Sequence, residues 1–420
     1  MARPRSVPSL DVFYEQTLVG RLWLDEGRRF VFQYDATWLS NPERMTLSHA
    51  LPFQTLAFPP DQARPFFANL LPESHIRRLI TEKLHISEKN DYALLEAIGG
   101  DCAGAFSLWP QGRKPPTKQG RRLVSQAELG AWLANIPERP LIQAMEGLRL
   151  SLAGAQNKLP VISEGGELWL PEGNSASTHI LKPAIERLED SVGNECFCLQ
   201  LAEAVELPVV SAKIFEKPSP YLLIKRYDRS RDASGAVKRL HQEDFCQALG
   251  RLSENKYQAE GGPTLVDCFR ILTAESTHPL EDRRNLLRWV IFNILIGNAD
   301  AHAKNIAFLR IPSGVHLAPF YDLLSTAAYP SFSRKMAMDI GGENRLGWIQ
   351  ARHWDRMARS IEVKENLVRA YAIEMANDLP TAARHLLEQY PNRPFLQKLC
   401  DLIDKHSRLL TTRLNPSAAD

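Results

Sequence analysis

The sequence predicts an α+β protein with two lobes, one rich in strands and the next rich in helices, preceded by a further α+β subdomain. Three observations support this prediction. Apolar and polar residues alternate through residues 10–34, as they do in half-buried strands. Short strand-like runs separated by turn residues follow in the middle of the chain, and apolar residues at helical spacing dominate after residue 241.

The N-terminal subdomain is predicted at residues 1–122. After its opening strands, the apolar residues of 66–84 recur at helical spacing, and Asp91 is placed to cap a second helix that ends near Ile98. The Pro-, Gly- and Lys/Arg-rich stretch at 111–122 has the composition of a linker. We therefore expect the first domain boundary near the end of that stretch.

The strand-rich small lobe is predicted at residues 123–227 and the helical large lobe at residues 228–420. The small lobe should carry one helix, at 191–205. Its predicted strands are 158–163, 167–171, 179–183 and 221–227. The predicted helices of the large lobe are 243–249, 265–274, 282–296, 366–376 and 395–410.

Composition and charge exclude several classes of protein. The 420 residues are 44% hydrophobic and 24% charged, a balance typical of globular proteins and not of disordered ones. The net charge of +2 is far from the strongly basic balance of a dedicated nucleic-acid binder. The six cysteines form no CxxC pair, so we expect reduced thiols in the cytoplasm. No apolar run approaches the roughly 20 residues that span a bilayer, so no membrane association is expected.

The most specific motif is G-N-A-D-A-H-A-K-N at residues 297–305. Phosphoryl transfer needs a carboxylate that orients the attacking hydroxyl and an amide oxygen that holds a metal ion, and the spacing of Asp300 and Asn305 matches the catalytic loop of kinases. A second metal-binding carboxylate should follow, and Asp322 does so in P-F-Y-D-L. Turn formation and capping are the ordinary alternative for such residues. We predict a protein-kinase-like fold with Asp300 as catalytic carboxylate and Asn305 and Asp322 as magnesium ligands.

Further candidates surround this motif. Lys182, in H-I-L-K-P, would bring an ammonium group from a strand to the phosphates of ATP, and Glu195 is a candidate ion-pair partner. A solvated edge lysine and a surface glutamate are the alternatives. The small residues of S-L-A-G-A-Q-N-K could let backbone N–H groups approach phosphates, or form an ordinary turn. His302 and Lys304 join Asp300 as catalytic candidates. The candidates for nucleotide binding are Ala153, Gly154, Ala155, Gln156, Asn157, Lys158, Lys182, Lys225 and Tyr227.

The order of these motifs resembles the HipA family, the kinase toxins of bacterial toxin–antitoxin pairs. The motifs are S-L-A-G-A-Q-N-K-L, H-I-L-K-P, N-E-C-F-C, I-K-R-Y-D-R, H-Q-E-D-F-C-Q-A-L-G, N-A-D-A-H-A-K-N and P-F-Y-D-L. The resemblance extends to F-F-A-N-L-L-P-E at 66–73 and to K-M-A-M-D-I-G-G-E-N at 335–344, and so covers nearly the whole chain. Two positions depart from the family: Asn157 stands where an acidic residue is frequent, and Lys225 where better-known members carry Glu.

The resemblance implies a serine/threonine protein kinase that uses ATP and Mg²⁺ and lowers translation by modifying a protein such as an aminoacyl-tRNA synthetase. It implies a helix-turn-helix, HipB-like antitoxin as partner, with operator DNA bound only through the complex. By position, Ser151 resembles the family's self-phosphorylated serine. A phosphate there would add about −1.5 to −2 charge beside the nucleotide loop, so we expect a regulatory phosphosite that weakens ATP binding.

Two other functions remain open. A small-molecule kinase of the aminoglycoside or phosphoinositide type shares the D-x-H-x-x-N frame, but it needs neither the S-L-A-G-A-Q segment nor the N-terminal subdomain. A catalytically silent corepressor subunit is the second alternative. The complete set of Lys182, Asp300, Asn305 and Asp322 argues against a silent protein.

Overall fold

The N-terminal subdomain is built around an antiparallel sheet. Its strands are β1 Ser9–Tyr14, β2 Thr17–Leu24, β3 Phe30–Tyr34 and β4 Phe106–Pro110. In this computed structural model, which describes residues 8–134, 153–154 and 156–415, they lie in the order β3-β2-β1-β4. The accompanying helices are α1 Ala36–Leu39, α2 Pro60–Ala68, α3 Ser74–Leu84 and α4 Asp91–Ile98. The alternating pattern of residues 10–34 therefore predicted the sheet correctly.

The helical spacing of residues 66–84 does not belong to one continuous helix. It is divided between α2 and α3, which are separated by residues 69–73. Pro72 has no N–H to donate, and its ring disfavours helical backbone in the residue before it. The helix consequently ends before Pro72, and residues 69–73 form a break that contacts Gly154 and Lys304.

The cap of α4 differs from the prediction by one residue. The side chain of Asn90 accepts a hydrogen bond from the Ala93 N–H at 3.1 Å, while Asp91 is the first helical residue. The Asp91 carboxylate accepts hydrogen bonds from Arg64 at 3.0 Å and Arg77 at 2.5 Å instead. Both residue types are good helix caps, so the choice between them depends on long-range ion pairs that a local pattern does not contain.

The small lobe is a mixed unit of strands and helices. Its strands are β5 Gln119–Leu123, β6 Leu159–Glu164, β7 Glu167–Gly173, β8 His179–Pro183, β9 Ala212–Phe215 and β10 Tyr221–Lys225. Among the described residues they form one sheet in the order β5-β7-β6-β8-β10-β9. The helices are α5 Gln126–Ala134 and α6 Ser191–Ala204. The linker-like composition of 111–122 gave no indication of β5, which pairs with β7. The division at residues 122 and 227 stays a prediction.

The large lobe is mainly helical and carries short hairpins. Its helices are α7 Phe245–Ala248, α8 Leu265–Glu275, α9 Pro279–Ile296, α10 Ala351–Ser360, α11 Glu365–Leu387 and α12 Pro394–Leu414. Its strands are β11 Arg229–Arg231, β12 Val237–Arg239, β13 His241–Asp244, β14 Ala307–Ile311, β15 Gly314–Leu317, β16 Lys335–Ile340 and β17 Glu343–Arg345. A continuous core joins these helices to α6 of the small lobe. The predicted two-lobed, kinase-like α+β class is therefore confirmed.

The helix predicted at 243–249 is wrong in its first two residues, which belong to a strand. Glu243 belongs to β13, where it lies opposite Phe308 of β14. Its buried carboxylate accepts a hydrogen bond from Arg310 at 2.5 Å. Asp244 then caps the single turn of α7, and Gly250 follows it with φ of 64°. The sheet pairing outweighs the helical pattern here.

All six cysteines lie within the described residues, where they are buried and form no disulfide. In the described part of the chain, no helix combines the length and hydrophobicity needed to cross a lipid bilayer.

Candidate active site

The candidate catalytic loop begins where α9 ends. Gly297 terminates the helix with φ of 72°, and a Cβ atom there would lie 2.6 Å from the Ala327 Cβ. Asn298 then forms two bonds: its amide donates to the Asn293 side chain at 2.7 Å, and its Oδ1 accepts from the Asp300 N–H at 3.1 Å. The glycine and the amide together fix the start of the loop.

Asp300 carries a half-exposed carboxylate, with 48% of its side chain accessible. The Tyr257 hydroxyl donates to its Oδ1 at 2.6 Å, and His302 Nε2 lies 4.0 Å from the same oxygen. Burial lowers the pKa of His302 to about 4, so its imidazole is neutral at pH 7. The Asn305 side-chain amide donates to the Asp300 carbonyl at 3.0 Å, so its Oδ1 is the atom that would bind a metal ion if the predicted role holds.

Lys182 joins the small lobe to Asp322. Its ammonium donates to Glu195 Oε1 at 2.6 Å and also to Asp322 Oδ1. The predicted ion pair with Glu195 is therefore present, and both side chains are only 5–6% exposed. Burial alone would lower the pKa of Lys182, but the two carboxylates raise it above its ordinary value.

Asp322 has a lowered pKa and a left-handed backbone conformation. Although burial opposes ionisation, the ammonium groups of Lys182 and Lys158 hold the pKa of its carboxyl below the ordinary value. Its φ of 53° lies in the left-handed region, which costs a non-glycine residue about 1–2 kcal/mol. The Asp322 carboxylate is therefore ionised and held toward Lys182.

The segment around residue 154 lies beside these groups. Lys158 donates to the Ala153 carbonyl, and burial lowers the pKa of its ammonium to about 8. Gly154 has φ of 112°, and a Cβ there would lie 2.9 Å from Lys158 Nζ, so only glycine fits. Gln156 and Asn157 are half-buried next to them. Ser151 and Ala155 lie outside the described residues, and their predicted roles stay predictions.

The connection between the lobes carries the remaining two candidates. Lys225 ends β10 with an exposed side chain, and its N–H donates to the Ser211 carbonyl at 2.9 Å. The half-buried ring of Tyr227 stacks on Tyr321 with centroids 5.8 Å apart. The Tyr321 hydroxyl donates to the Lys304 carbonyl at 2.7 Å, so this connection is tied to the catalytic loop.

Lys304 binds the N-terminal subdomain instead of Asp300. Its ammonium donates to Asn69 Oδ1 at 2.7 Å and to Asp244 Oδ2 at 3.1 Å, and it lies 3.5 Å from Glu73 Oε1. Its predicted catalytic role stays a prediction, while the contacts show a buried ion cluster behind the loop.

Sequence reasoning missed Tyr257, Glu73 and Asn69 as parts of this site. Asn69 and Glu73 are polar residues within the otherwise apolar motif F-F-A-N-L-L-P-E, and both are buried. Polar side chains in an apolar helical pattern were the signal that could have found them. Tyr257 follows a loop lysine and carries no comparable local signal.

The chemistry of the two predicted ligands fits a metal ion that is shared with phosphates. Asp322 supplies a carboxylate and Asn305 an amide oxygen, the hard ligands that Mg²⁺ prefers. Among the described residues, no cluster of three or more His, Cys, Asp and Glu side chains could hold a metal ion by itself. Two protein ligands are the number expected where a nucleotide provides the rest.

Comparisons with known proteins identify the family of this chain. The model described as HipA N-terminal domain matches residues 10–109, and the model described as HipA-like C-terminal domain matches residues 150–383. Y4mE of Sinorhizobium fredii is 42% identical over 91% of this chain and 93% of its own length. The serine/threonine-protein kinase toxin HipA of Shewanella oneidensis is 31% identical over 91% of this chain and 90% of its own.

A solved structure extends the likeness to the fold. The HipA chain in the Shewanella oneidensis complex of HipA, HipB and operator DNA superposes with a TM-score of 0.80 at 28% identity, covering 97% of both chains. The two matched domain models, the HipA relative and this structure all agree, and the chain belongs to the HipA family of kinase toxins.

Proposed function

We propose that this chain is an ATP-dependent serine/threonine protein kinase that acts as the toxin of a HipA–HipB-like pair. The observation that carries the proposal is the Lys182–Asp322 contact, which brings a fixed cation from the small lobe to a predicted metal ligand of the large lobe. The half-exposed Asp300 carboxylate lies in the same loop as Asn305. These are the groups that phosphoryl transfer from a nucleotide requires.

In the proposed reaction, Lys182 binds the phosphates of ATP and Asp300 orients a serine or threonine hydroxyl. The hydroxyl oxygen bonds to the γ-phosphorus, the bond from that phosphorus to the β–γ bridging oxygen breaks, and ADP leaves. The hydroxyl proton passes to the Asp300 carboxylate. When bound, Mg²⁺ would neutralise phosphate charge, with Asn305 and Asp322 as its protein ligands.

Family membership supports a proposal for the substrate and for self-modification. We infer that a component of translation, such as an aminoacyl-tRNA synthetase, accepts the phosphate, and that Ser151 is modified by the chain itself. The test is incubation of the purified chain with labelled ATP, Mg²⁺ and a cell extract, followed by mass spectrometry. Asp300→Asn is the matched control. New phosphoserine or phosphothreonine with wild type alone supports the proposal, and equal labelling with both proteins contradicts it.

A helix-turn-helix, HipB-like antitoxin is the proposed partner, because the superposed HipA structure was solved with HipB and operator DNA. The net charge of +2 argues against tight DNA binding by this chain alone, since phosphate contacts supply most of such affinity. We expect the co-expressed antitoxin to copurify and the pair to bind operator DNA more tightly than either protein. An antitoxin that does not copurify would contradict the pairing.

A further inference from the structure

Glu73 of the N-terminal subdomain touches three separate parts of the candidate site. Its backbone N–H donates to the Gly154 carbonyl at 3.0 Å. Its carboxylate accepts a hydrogen bond from Lys256 at 2.9 Å and lies 3.5 Å from the Lys304 ammonium. The side chain is only 10% exposed. One residue outside the two kinase lobes therefore contacts three segments. They are the segment around Gly154 that is predicted to bind the nucleotide (the nucleotide segment), the catalytic loop, and the segment that carries Tyr257.

We propose that Glu73 is a positioning residue of the kinase site, through which the N-terminal subdomain holds Asp300 in its working orientation. This inference rests on the proposed kinase function. Glu73 acts through two lysines, Lys256 and Lys304, and each lysine leads to the catalytic loop by a different route.

The first route runs through Tyr257. Lys256 is the preceding residue, and its ammonium also lies 5.6 Å from the centre of the Tyr257 ring. That ring packs edge-on against His302, with centroids 5.5 Å apart, and its hydroxyl donates to Asp300 Oδ1. The ion pair with Glu73 consequently fixes the residue that orients the Asp300 carboxylate.

Tyr257 orients the Asp300 carboxylate and uses only one of the hydrogen bonds that this carboxylate can accept. A carboxylate has two oxygens and can accept about four hydrogen bonds, and Tyr257 uses one. The 48% exposure of the Asp300 side chain leaves room for a substrate hydroxyl at the other oxygen. Tyr257 is therefore expected to assist transfer and not to block it.

The second route runs through Lys304. This lysine is almost fully buried and is held by Asn69, Asp244 and Glu73. A buried ammonium is stable only when charged and polar partners surround it. Two of these partners come from the N-terminal subdomain, so removing the charge of Glu73 weakens the cluster immediately before Asn305.

The charge of Glu73 matters more than its shape. Burial alone would raise the pKa of its carboxyl, but Lys304 and Lys256 hold it below the ordinary value, so Glu73 is ionised at neutral pH. Glutamine keeps the shape and the backbone bond to Gly154 but cannot balance two ammonium groups. Glu73→Gln should therefore impair the Asp300 side of the site and spare the nucleotide segment.

Simple adhesion between domains is the competing explanation, and Glu275 supplies a matched control. Glu275 also joins the N-terminal subdomain to the large lobe, because it accepts a hydrogen bond from His49 at 2.8 Å and one from Arg310 at 3.2 Å. Neither partner belongs to the catalytic loop. Glu275→Gln thus weakens another carboxylate contact between the N-terminal subdomain and the large lobe without touching Asp300.

The experiment compares full-length wild type, Glu73→Gln, Glu275→Gln and Tyr257→Phe in self-phosphorylation with Mg-ATP. Here kcat denotes the rate constant of phosphate gain at saturating ATP, and KM denotes the ATP concentration that gives half that rate. We expect Glu73→Gln to lower kcat by up to about 10²-fold, the loss typical of a misplacement near 1 Å. KM for ATP should change little, because the bond to Gly154 comes from the backbone. Adding Tyr257→Phe to Glu73→Gln should cost little more than Glu73→Gln alone, since Tyr257 lies on one of the two routes through which Glu73 acts. Glu275→Gln should keep the wild-type kcat.

Hydrogen–deuterium exchange provides a readout that does not need activity. Glu73→Gln should speed exchange in peptides that contain Lys256 or Lys304, and Glu275→Gln should not. A wild-type kcat in Glu73→Gln, or an equal loss in Glu275→Gln, would overturn the inference. If wild type transfers no phosphate at all, the proposed function fails, and unchanged exchange in Glu73→Gln would separately overturn the positioning role.

Discussion

Lys182→Met should lower the free energy of unfolding, because it removes one partner of a buried ion pair. Removing one partner of a buried ion pair costs about 3–5 kcal/mol, because the other charge is left in a site of low polarity. The Lys182–Glu195 pair meets this description, with both side chains 5–6% exposed. Asp322 is 37% exposed, so solvent screens its share of the attraction and it adds little. We expect a loss of about 3 kcal/mol at pH 8.

The same reasoning gives the sign of the pH dependence. Burial raises the pKa of Glu195, and without Lys182 nothing comparable opposes that rise. A group with a raised folded pKa favours the folded state below its unfolded pKa, near 4.3, and loses that contribution as the pH rises through the folded value. The penalty in Lys182→Met should therefore be smaller at pH 5 than at pH 8.

Urea unfolding at both pH values measures this effect, and two variants control it. Lys213→Met removes an exposed lysine from β9 of the same sheet and should change stability by less than about 0.5 kcal/mol. Adding Glu195→Gln to Lys182→Met should recover part of the loss, because the buried Glu195 charge is then removed together with its partner. A Lys182→Met protein as stable as wild type at pH 8, or one whose loss grows toward pH 5, would refute the reasoning.

Four further predictions concern single residues. Asp322→Ala should abolish Mg²⁺-dependent ATP binding in a folded protein, as measured by calorimetry; unchanged affinity would remove its metal role. Asp300→Asn should lower the transfer rate by about 10² to 10⁴ while ATP still binds, and a rate near wild type would remove Asp300 from the mechanism. The hydrogen bond to Glu275 is the main cause that raises the pKa of His49; Glu243 also raises this pKa and Arg310 opposes the rise. Protonated His49 should therefore stabilise the protein below pH 6.5, and this contribution should be lost as the pH rises through the folded pKa. A melting temperature with the same pH dependence in His49→Gln would contradict this. Ser151→Ala should not gain the self-added phosphate in intact-mass analysis, and equal gain in wild type and variant would exclude that site.

The parts of the protein that the sequence predicted well are those set by local pattern. The segment from Asp300 to Asn305 lies between α9 and β14, as its flanking apolar runs predict, and the strand with Lys182 has bounds that match β8. The order of these motifs along the chain was enough to indicate the fold, because each was flanked by the expected elements. Periodicity also indicated α8, α9, α11 and α12, although their ends shifted.

The parts that the sequence did not predict depend on contacts between distant residues. The apolar spacing of residues 66–84 predicts one helix, whereas the chain breaks between α2 and α3. This break places Glu73 beside Lys256 and Lys304, which lie 183 and 231 residues away along the chain. Tyr257 reaches Asp300 across another such gap. The left-handed backbone of Asp322 is equally invisible to pattern, because aspartate rarely adopts it and only the surrounding structure imposes it.

The measurement that tests the central claim most directly is the intact mass of the purified chain after incubation with Mg-ATP. It needs no knowledge of the natural substrate. We predict that wild type gains phosphate, that the phosphate lies on serine or threonine, and that Asp300→Asn and Asp322→Ala gain none. Phosphate on both variants at the wild-type level would contradict the assignment of this site as the centre of phosphoryl transfer.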